Sequence, residues 1–167
     1  MQTTFGPLQF LPVNLNEQRS ICIKFVVDAF VASFGSSEKF YQHNGPSGEL
    51  YLDWLKSKIH DDPPTVVHIW ESGDLVGQME LGRFKPEPST GFVSLYYLIP
   101  EKRGRSYSKY LEQYAEHFLK ERGFSKAKLS VSPTNERAIR FYTRMGWKDL
   151  GPRPDYPSLN FMEKNFS

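Results

Sequence analysis

Apolar and polar residues alternate along this chain with two different periods, which predict where strands and helices lie. Runs of period two, bounded by turn-forming residues, predict strands at residues 8–13, 66–70, 75–84, 92–99, 127–131, 147–150 and 159–162. Apolar residues at spacings of three and four predict helices between 14 and 35, and over 50–59, 107–119 and 136–145. Loops are predicted at 43–48, at 62–64 and over the Pro-rich segment 152–157. This order of elements is typical of one mixed α/β domain spanning residues 1–167.

The segment over residues 97–108 is the most informative part of the sequence. A predicted strand ends at Pro100, and a short basic loop of small residues leads directly into the amphipathic helix that follows. Backbone N–H groups at the start of a helix are unpaired, and the helix dipole makes that end positive. The positive charges of Lys102, Arg103 and Arg105 add to this field. The junction is therefore a candidate binding site for a diphosphate group.

Composition and charge narrow the class of protein. The 167 residues are 39% hydrophobic and 24% charged, as in an ordinary soluble globular domain. A net charge of +2 argues against binding of nucleic acid. The single cysteine, Cys22, excludes an internal disulfide, and its apolar neighbours predict a buried thiol. Because neither a signal peptide nor a membrane-spanning apolar run is recognisable, we expect a cytoplasmic protein without membrane contact.

Two motifs resemble those of the GNAT superfamily of N-acetyltransferases. The first, Arg103-Gly104-Arg105-Ser106-Tyr107-Ser108, is similar to the family's Gln/Arg-x-x-Gly-x-Gly/Ala, with serine at both expected glycines. Serine keeps the backbone N–H but disfavours a positive φ. The second, over residues 135–147, is similar to Asn-x-x-Ala-x-x-x-Tyr-x-x-x-Gly-Phe, with Trp147 as the final aromatic. The resemblance implies a strongly twisted, mostly antiparallel sheet of about six to seven strands flanked by about four helices.

The same resemblance implies a reaction and the residues that perform it. The acetyl group of acetyl-CoA would pass to a primary amine by direct attack, without a metal. Backbone groups of Tyr97 and Leu98 and the side chain of Asn135 would bind the pantetheine arm. Tyr142 would donate a proton to the leaving thiolate and would also contact the cofactor. The expected diphosphate-binding loop consists of Arg103, Gly104, Arg105, Ser106, Tyr107 and Ser108.

Several of these residues have a structural alternative. Tyr142 lies on nearly the same helix face as Asn135, and the alternative for Tyr142 is that its ring only packs under the sheet. The alternative for Asn135 is that its side chain only caps the helix. A helical stripe of basic residues is interpreted as a solvated face rather than as a phosphate site. The stripe consists of Arg137, Arg140 and Arg144.

Neither motif contains a residue that would act as the general base. Glu80 alternates in phase with Gln78 on the third predicted strand, so the two side chains share one face of the sheet. We predict that Glu80 takes or relays the proton of the attacking ammonium group. The alternatives are an ordinary exposed strand residue and loss of the proton through water.

The acceptor is expected to be a small-molecule amine or a peptide N-terminus. Its pocket is predicted between the first two helices, their loop at about 34–48, and the third and fourth strands, with an aromatic lining. Candidate lining residues are Phe34, Phe40, Tyr41, Tyr51, Trp54 and Trp70. The histidines show no metal-ligand spacing, so no metal site is predicted. A homodimer is compatible with the resemblance, and the rival functions are a non-catalytic acyl-CoA-binding module and a nucleic-acid-binding or scaffold protein.

Overall fold

The helices and strands of a computed structural model, which describes residues 3–61 and 65–166, follow the predicted order closely. The predicted loop at 62–64 lies outside the described residues. The strands are β1 (Thr4–Phe5), β2 (Leu8–Pro12), β3 (Val66–Glu71), β4 (Asp74–Arg83), β5 (Gly91–Leu98), β6 (Lys126–Val131), β7 (Lys148–Pro152) and β8 (Asn160–Asn165). The helices are α1 (Leu15–Phe34), α2 (Glu38–Asn44), α3 (Glu49–Lys58), α4 (Ser108–Glu121) and α5 (Glu136–Arg144), and a 3₁₀ turn, Pro100–Lys102, precedes α4.

The strands of the described chain form one eight-stranded sheet in the order β1-β2-β3-β4-β5-β6-β8-β7. Neighbouring strands are antiparallel except for β5 and β6, which are parallel. One core cluster joins α4 to the sheet, and a second joins α1, α2 and α3 to it. The mixed α/β class and the mostly antiparallel sheet are thus confirmed, and none of the described helices is long and apolar enough to cross a membrane.

The described residues contain one short strand and one short helix that the periodicity did not predict. Strand β1 has two residues and pairs with β2 through a turn at Gly6, where φ is +55°. Helix α2 lies inside the segment predicted as a loop between the first two helices, and Phe40 is its only buried residue. A pattern of period two or 3.6 cannot be recognised in segments that bury so few side chains.

Helix α1 begins and ends where the sequence predicts. The side chain of Asn14 accepts a hydrogen bond from the backbone N–H of Asn16, and Gly35 ends the helix with a φ of +80°. Cys22 is buried, as expected, together with Phe25 and Val26. This helix covers the face of the sheet opposite to α4, so that the two helices enclose the central strands from both sides.

A β-bulge interrupts the regular pairing of β4 with β5. Glu80 of β4 pairs with Leu95, whereas the next residue, Leu81, pairs with Val93. Ser94 is therefore an extra residue in β5, and its hydroxyl donates to the backbone oxygen of Glu80 at 3.3 Å. A bulge of this kind bends the strand and increases its twist.

Candidate active site

A cleft opens where β5 and β6 separate. The two strands pair only from Gly91–Ala127 to Val93–Leu129, immediately before the bulge. Beyond this point the backbone edge of residues 94–98 faces a cavity of about 550 Å³. The cavity, here called the cleft, is bounded by α1, β5, β6, the start of α4 and α5.

Most of the residues predicted to bind cofactor line this cleft together. They are Tyr97, Leu98, Arg103, Gly104, Ser108, Asn135 and Tyr142. Arg105, Ser106, Tyr107 and Glu80 are not among its lining residues. The first three continue the loop beside the cleft, whereas Glu80 lies one strand away, beside Leu95.

The loop before α4 takes the backbone conformations that its small residues suggest. Gly104 has a φ of +73°, and Ser106 has a φ of +64°. Serine at a family glycine position therefore occupies the left-handed region, which is unfavourable for a residue with a Cβ. Tyr107 precedes the first turn of α4 without a side-chain cap, and that turn carries no acidic residue. The start of α4 thus presents backbone N–H groups and a positive dipole beside the cleft.

Two residues of the loop are bound to a carboxylate of a distant strand. Lys102 Nζ lies 2.5 Å from Glu71 Oε1 of β3, and the Tyr107 hydroxyl also bonds to Glu71. These hydrogen bonds hold the pKa of the Glu71 carboxyl below its usual value. Lys102 and Tyr107 therefore fasten the loop to the sheet.

Arg103 is fastened to α1 in a similar way. Its Nη2 lies 3.1 Å from Asp28 Oδ2, and its Nε donates to the backbone oxygen of Leu98 at 2.8 Å. The Tyr97 hydroxyl donates to the same Asp28 oxygen at 2.5 Å. The guanidinium of Arg103 thus braces the cleft wall, and the residue also lines the cleft. Its part in binding a diphosphate stays a prediction.

Arg137 of α5 lies close to Gly104 of the loop before α4. It lines the cleft, and a Cβ built on Gly104 would lie 2.9 Å from its Nη2. Glycine at 104 thus leaves room for this guanidinium. Arg137 is exposed, as the interpretation of a solvated stripe expects, and it also lines the cleft. Arg140 is exposed as well and lies 3.8 Å from Glu136. The signal that could have found Arg137 is its position two residues after Asn135, in the first turn of α5.

Asn135 combines the two roles considered for it. Its side-chain oxygen caps α5 by accepting from the Ala138 N–H at 3.3 Å, and the residue lines the cleft. The cap uses the amide oxygen, while the amide nitrogen carries the two N–H donors of this side chain.

Tyr142 lies against the cleft among other aromatic rings. Its ring centroid is 5.7 Å from that of Tyr96 and 6.2 Å from that of Trp147. Both neighbours are hydrogen-bonded to the buried carboxylate of Glu112, which also pairs with Lys164. Burial, with a smaller contribution from the charge of Glu112, raises the pKa of Tyr142 above its ordinary value. The hydroxyl therefore stays protonated in neutral and mildly alkaline solution.

Glu80 is buried on the opposite face of the sheet and is not an ordinary exposed strand residue. Its side chain accepts from the Tyr51 hydroxyl and, at 3.0 Å, from Gln78 Nε2. The shared face of Glu80 and Gln78 is thus confirmed. Burial raises the pKa of Glu80 to about 7, although both hydrogen bonds oppose the rise. Glu80 is therefore poised to exchange a proton near neutral pH.

A chain of polar side chains continues from Glu80 through the interior. Gln78 Oε1 lies 2.9 Å from His68 Nε2, and His68 Nδ1 lies 3.0 Å from Gln18 Oε1 of α1. The Cys22 sulfur lies 3.5 Å from His68 Nε2, and burial raises the pKa of this thiol to about 12. Such a thiol stays protonated and unreactive at neutral pH.

A second cavity, of about 440 Å³, adjoins the cleft and is here called the hollow. It shares Ser33, Phe34 and Ser132 with the cleft. Its other lining residues are Ser36, Glu38, Lys39, Gln42, Thr134 and Ser158. Phe40 and Tyr51, two of the aromatic residues predicted to line the acceptor pocket, belong to the core beneath α2 and α3. The place where the acceptor binds stays a prediction. Of the six predicted aromatic residues, Phe34 alone is among the residues that line the two cavities described here.

The residue types that can ligate a metal are dispersed through the described parts of the chain. In the parts of the chain that the structure describes, three or more His, Cys, Asp or Glu side chains nowhere converge as a metal-binding group.

Comparisons with known proteins agree with this architecture. The family model described as "Acetyltransferase (GNAT) family" matches residues 26–147. An N-acetyltransferase from Staphylococcus aureus Mu50 superposes with a TM-score of 0.71 at 18% identity, covering 97% of this chain and 100% of its own. The PaiA N-acetyltransferase from Thermoplasma acidophilum, solved in complex with coenzyme A, gives 0.70 at 18% identity, covering 95% of this chain and 99% of its own.

An acetyltransferase from Thermus thermophilus gives a TM-score of 0.68 at 17% identity, covering 99% of this chain and 100% of its own. No curated protein matches the sequence significantly. At these identities the solved structures establish the shared fold. The family model covers the loop, both motifs and all the residues that line the cleft except Leu159. The chain belongs to the GNAT acetyltransferase family.

Proposed function

We propose that this protein is an acetyl-CoA-dependent N-acetyltransferase that acetylates a primary amine by direct attack on the thioester. The observation that carries the proposal is the cleft itself. It brings together the uncapped start of α4, the unpaired edge of β5 and the hydroxyl-bearing ring of Tyr142.

Binding is assigned to the backbone and to α5. N–H groups of residues 104–108 face the diphosphate, supported by Arg137 over Gly104. Pantetheine lies along residues 94–98 of β5 and fills the place that a paired strand would take. The Asn135 amide and the backbone around Tyr97 and Leu98 complete these contacts. Holding the thioester in line with the amine supplies much of the rate.

The reaction then requires two proton transfers. The amine nitrogen attacks the thioester carbonyl carbon, and the carbon–sulfur bond breaks as the thiolate leaves. Tyr142 donates its phenolic proton to that thiolate. The proton released by the nitrogen passes to Glu80 through water, because Glu80 does not line the cleft. Tyr142 then recovers its proton from solvent.

Thiol release from acetyl-CoA with a panel of amines tests the proposal. Tyr142→Phe should lower kcat about 100-fold, the usual scale for removing a general acid, while the KM for acetyl-CoA changes little. Tyr41→Phe, at an exposed tyrosine of α2, is the matched control. Calorimetry that detects acetyl-CoA binding without thiol release for any amine would favour the acyl-CoA-binding module, and absence of binding would remove both functions.

The pH dependence of kcat tests Glu80 separately. Its carboxylate accepts a proton only when ionised, so the rate should rise through about pH 7 and stay high above it. The raised pKa of Tyr142 predicts that the rate does not fall again below about pH 10, where an ordinary tyrosine ionises. Glu80→Gln should remove the rise near pH 7. An unchanged profile in that variant would eliminate Glu80 as the base.

A further inference from the structure

The lining of the hollow contains one lysine. Lys39 of α2 lines the hollow, and its Nζ lies 4.3 Å from the ring centroid of Phe34 and 5.6 Å from that of Tyr156. Phe34 ends α1, whereas Tyr156 lies in the Pro-rich loop between β7 and β8. The ammonium group therefore lies near two rings, one at the end of α1 and one in the loop between β7 and β8.

Acidic residues also lie on the surrounding elements. Both carboxylate oxygens of Asp155 accept from Arg153, at 3.0 and 2.6 Å. Glu38 accepts from Gln42 within α2 at 3.2 Å. Lys39, in contrast, is held by aromatic rings, which attract a cation without neutralising its charge. Glu38 also lines the hollow, and its bond to the neutral amide of Gln42 supplies no compensating charge, so the lining holds one cationic and one anionic side chain. Of these two, Lys39 is the one that lies against Phe34, which is shared with the cleft.

Its position makes this charge relevant to the substrate. The hollow meets the cleft at Ser33, Phe34 and Ser132, on the α1 side of the sheet, whereas Gly104 and Ser108 line the cleft where the diphosphate loop lies. An amine that reaches the thioester from the hollow passes Lys39. A second cationic group on the amine would be repelled there, whereas a carboxylate would be attracted.

We propose that the acceptor is a carboxylate-bearing primary amine, of the amino-acid type, whose carboxylate pairs with Lys39. This inference rests on the proposed function and narrows its substrate class. Ser36 and Ser158 supply hydroxyl groups that donate to the same carboxylate or bind polar groups of the substrate. Lys39 positions the substrate and takes no part in the proton transfers.

Matched sets of amines test this assignment. Each set contains an amino acid, its amide and its decarboxylated amine, for example phenylalanine, phenylalaninamide and phenethylamine. The quantity measured is kcat/KM from thiol release, expressed per concentration of unprotonated amine. We expect the amino acid to exceed both partners by about tenfold or more, the scale of one charge-assisted hydrogen bond.

Variants identify Lys39 as the source of the preference. Lys39→Met should reduce the ratio within each set to near one, Lys39→Arg should retain it, and both should leave the KM for acetyl-CoA unchanged. Lys24→Met, at an exposed lysine of α1 outside the hollow, is the control.

The outcomes separate the two proposals. Turnover of the decarboxylated amines with equal or greater efficiency, or an unchanged ratio in Lys39→Met, would overturn this inference and leave the N-acetyltransferase intact. Failure of every amine to release thiol would overturn both.

Discussion

Two glutamates lie buried against opposite faces of the same sheet, and their surroundings differ in one respect. Glu112, 5% exposed, accepts from Lys164 Nζ at 2.7 Å, from Trp147 Nε1 at 2.9 Å and from the Tyr96 hydroxyl at 2.7 Å. Glu80, 4% exposed, accepts only from neutral groups among the described side chains that bond to it.

The difference shows that burial alone does not determine the chemical role of a carboxylate. A buried carboxylate with a cation beside it keeps its charge and fixes the positions of its neighbours. Here those neighbours are the two rings that flank Tyr142. A buried carboxylate with only neutral donors has its pKa raised to about 7 and remains able to exchange a proton. The first glutamate shapes the site, and the second is suited to chemistry.

Removing the cation should have the largest effect. Lys164→Met leaves the charge of Glu112 buried with neutral donors, and we expect the free energy of unfolding to fall by about 3 kcal/mol. Urea denaturation followed by tryptophan fluorescence measures the loss. Adding Glu112→Gln to this variant should recover much of it, because the uncompensated charge is then gone. A loss below about 1 kcal/mol for Lys164→Met would show that Glu112 does not need its cation.

Neutralising the second glutamate should have a comparable effect of opposite sign. The folded pKa of Glu80, about 7, lies above the unfolded value of 4.5, so the folded state retains a proton between these pH values. The wild type therefore loses stability as the pH rises through this window, up to about 3 kcal/mol. Glu80→Gln should not show this loss, and its stability relative to wild type should increase from pH 4 to pH 8. Parallel pH profiles of unfolding free energy would contradict the raised pKa.

Removing one neutral donor should have the smallest effect. Tyr51→Phe deletes a hydrogen bond to the Glu80 carboxylate and should cost about 1–2 kcal/mol at pH 8. Near pH 5 the cost should shrink, because Glu80 is then protonated in the folded protein. Thermal or urea unfolding at the two pH values distinguishes this from simple loss of packing, which would cost the same at both.

Helix caps, strand alternation and short motifs predicted most of the helices and strands, because each depends on residues that are near one another in the sequence. The caps of α1 at Asn14 and Gly35, the helix after Tyr107 and the break between the predicted strands 66–70 and 75–84 all depend on neighbouring residues. The shared face of Gln78 and Glu80 follows from strand alternation alone. Residues 135–147 placed Asn135 and Tyr142 in one helix beside the cleft.

The partners of charged residues could not be predicted in this way. Arg103 meets Asp28 across 75 residues, Lys102 meets Glu71 across 31, and Lys164 meets Glu112 across 52. These pairings depend on how the sheet and helices are assembled, which no spacing along the chain encodes. The lining of a pocket could not be predicted from aromatic residues either, since a ring in the core and a ring in a pocket have the same sequence pattern.

The extra residue at Ser94 has a consequence for how this chain tolerates length changes. Deleting it would make Val93 and Leu95 consecutive opposite Leu81 and Glu80, which restores a regular ladder between β4 and β5. Tyr96 and Tyr97 would keep their partners on β4 and their sides of the sheet, so the hydroxyls that reach Glu112 and Asp28 would stay in place. The bend and extra twist that the bulge gives to β5 would be lost at the point where β5 parts from β6, so a substitution at this position is expected to be mild, whereas loss of a single codon there should narrow the cleft.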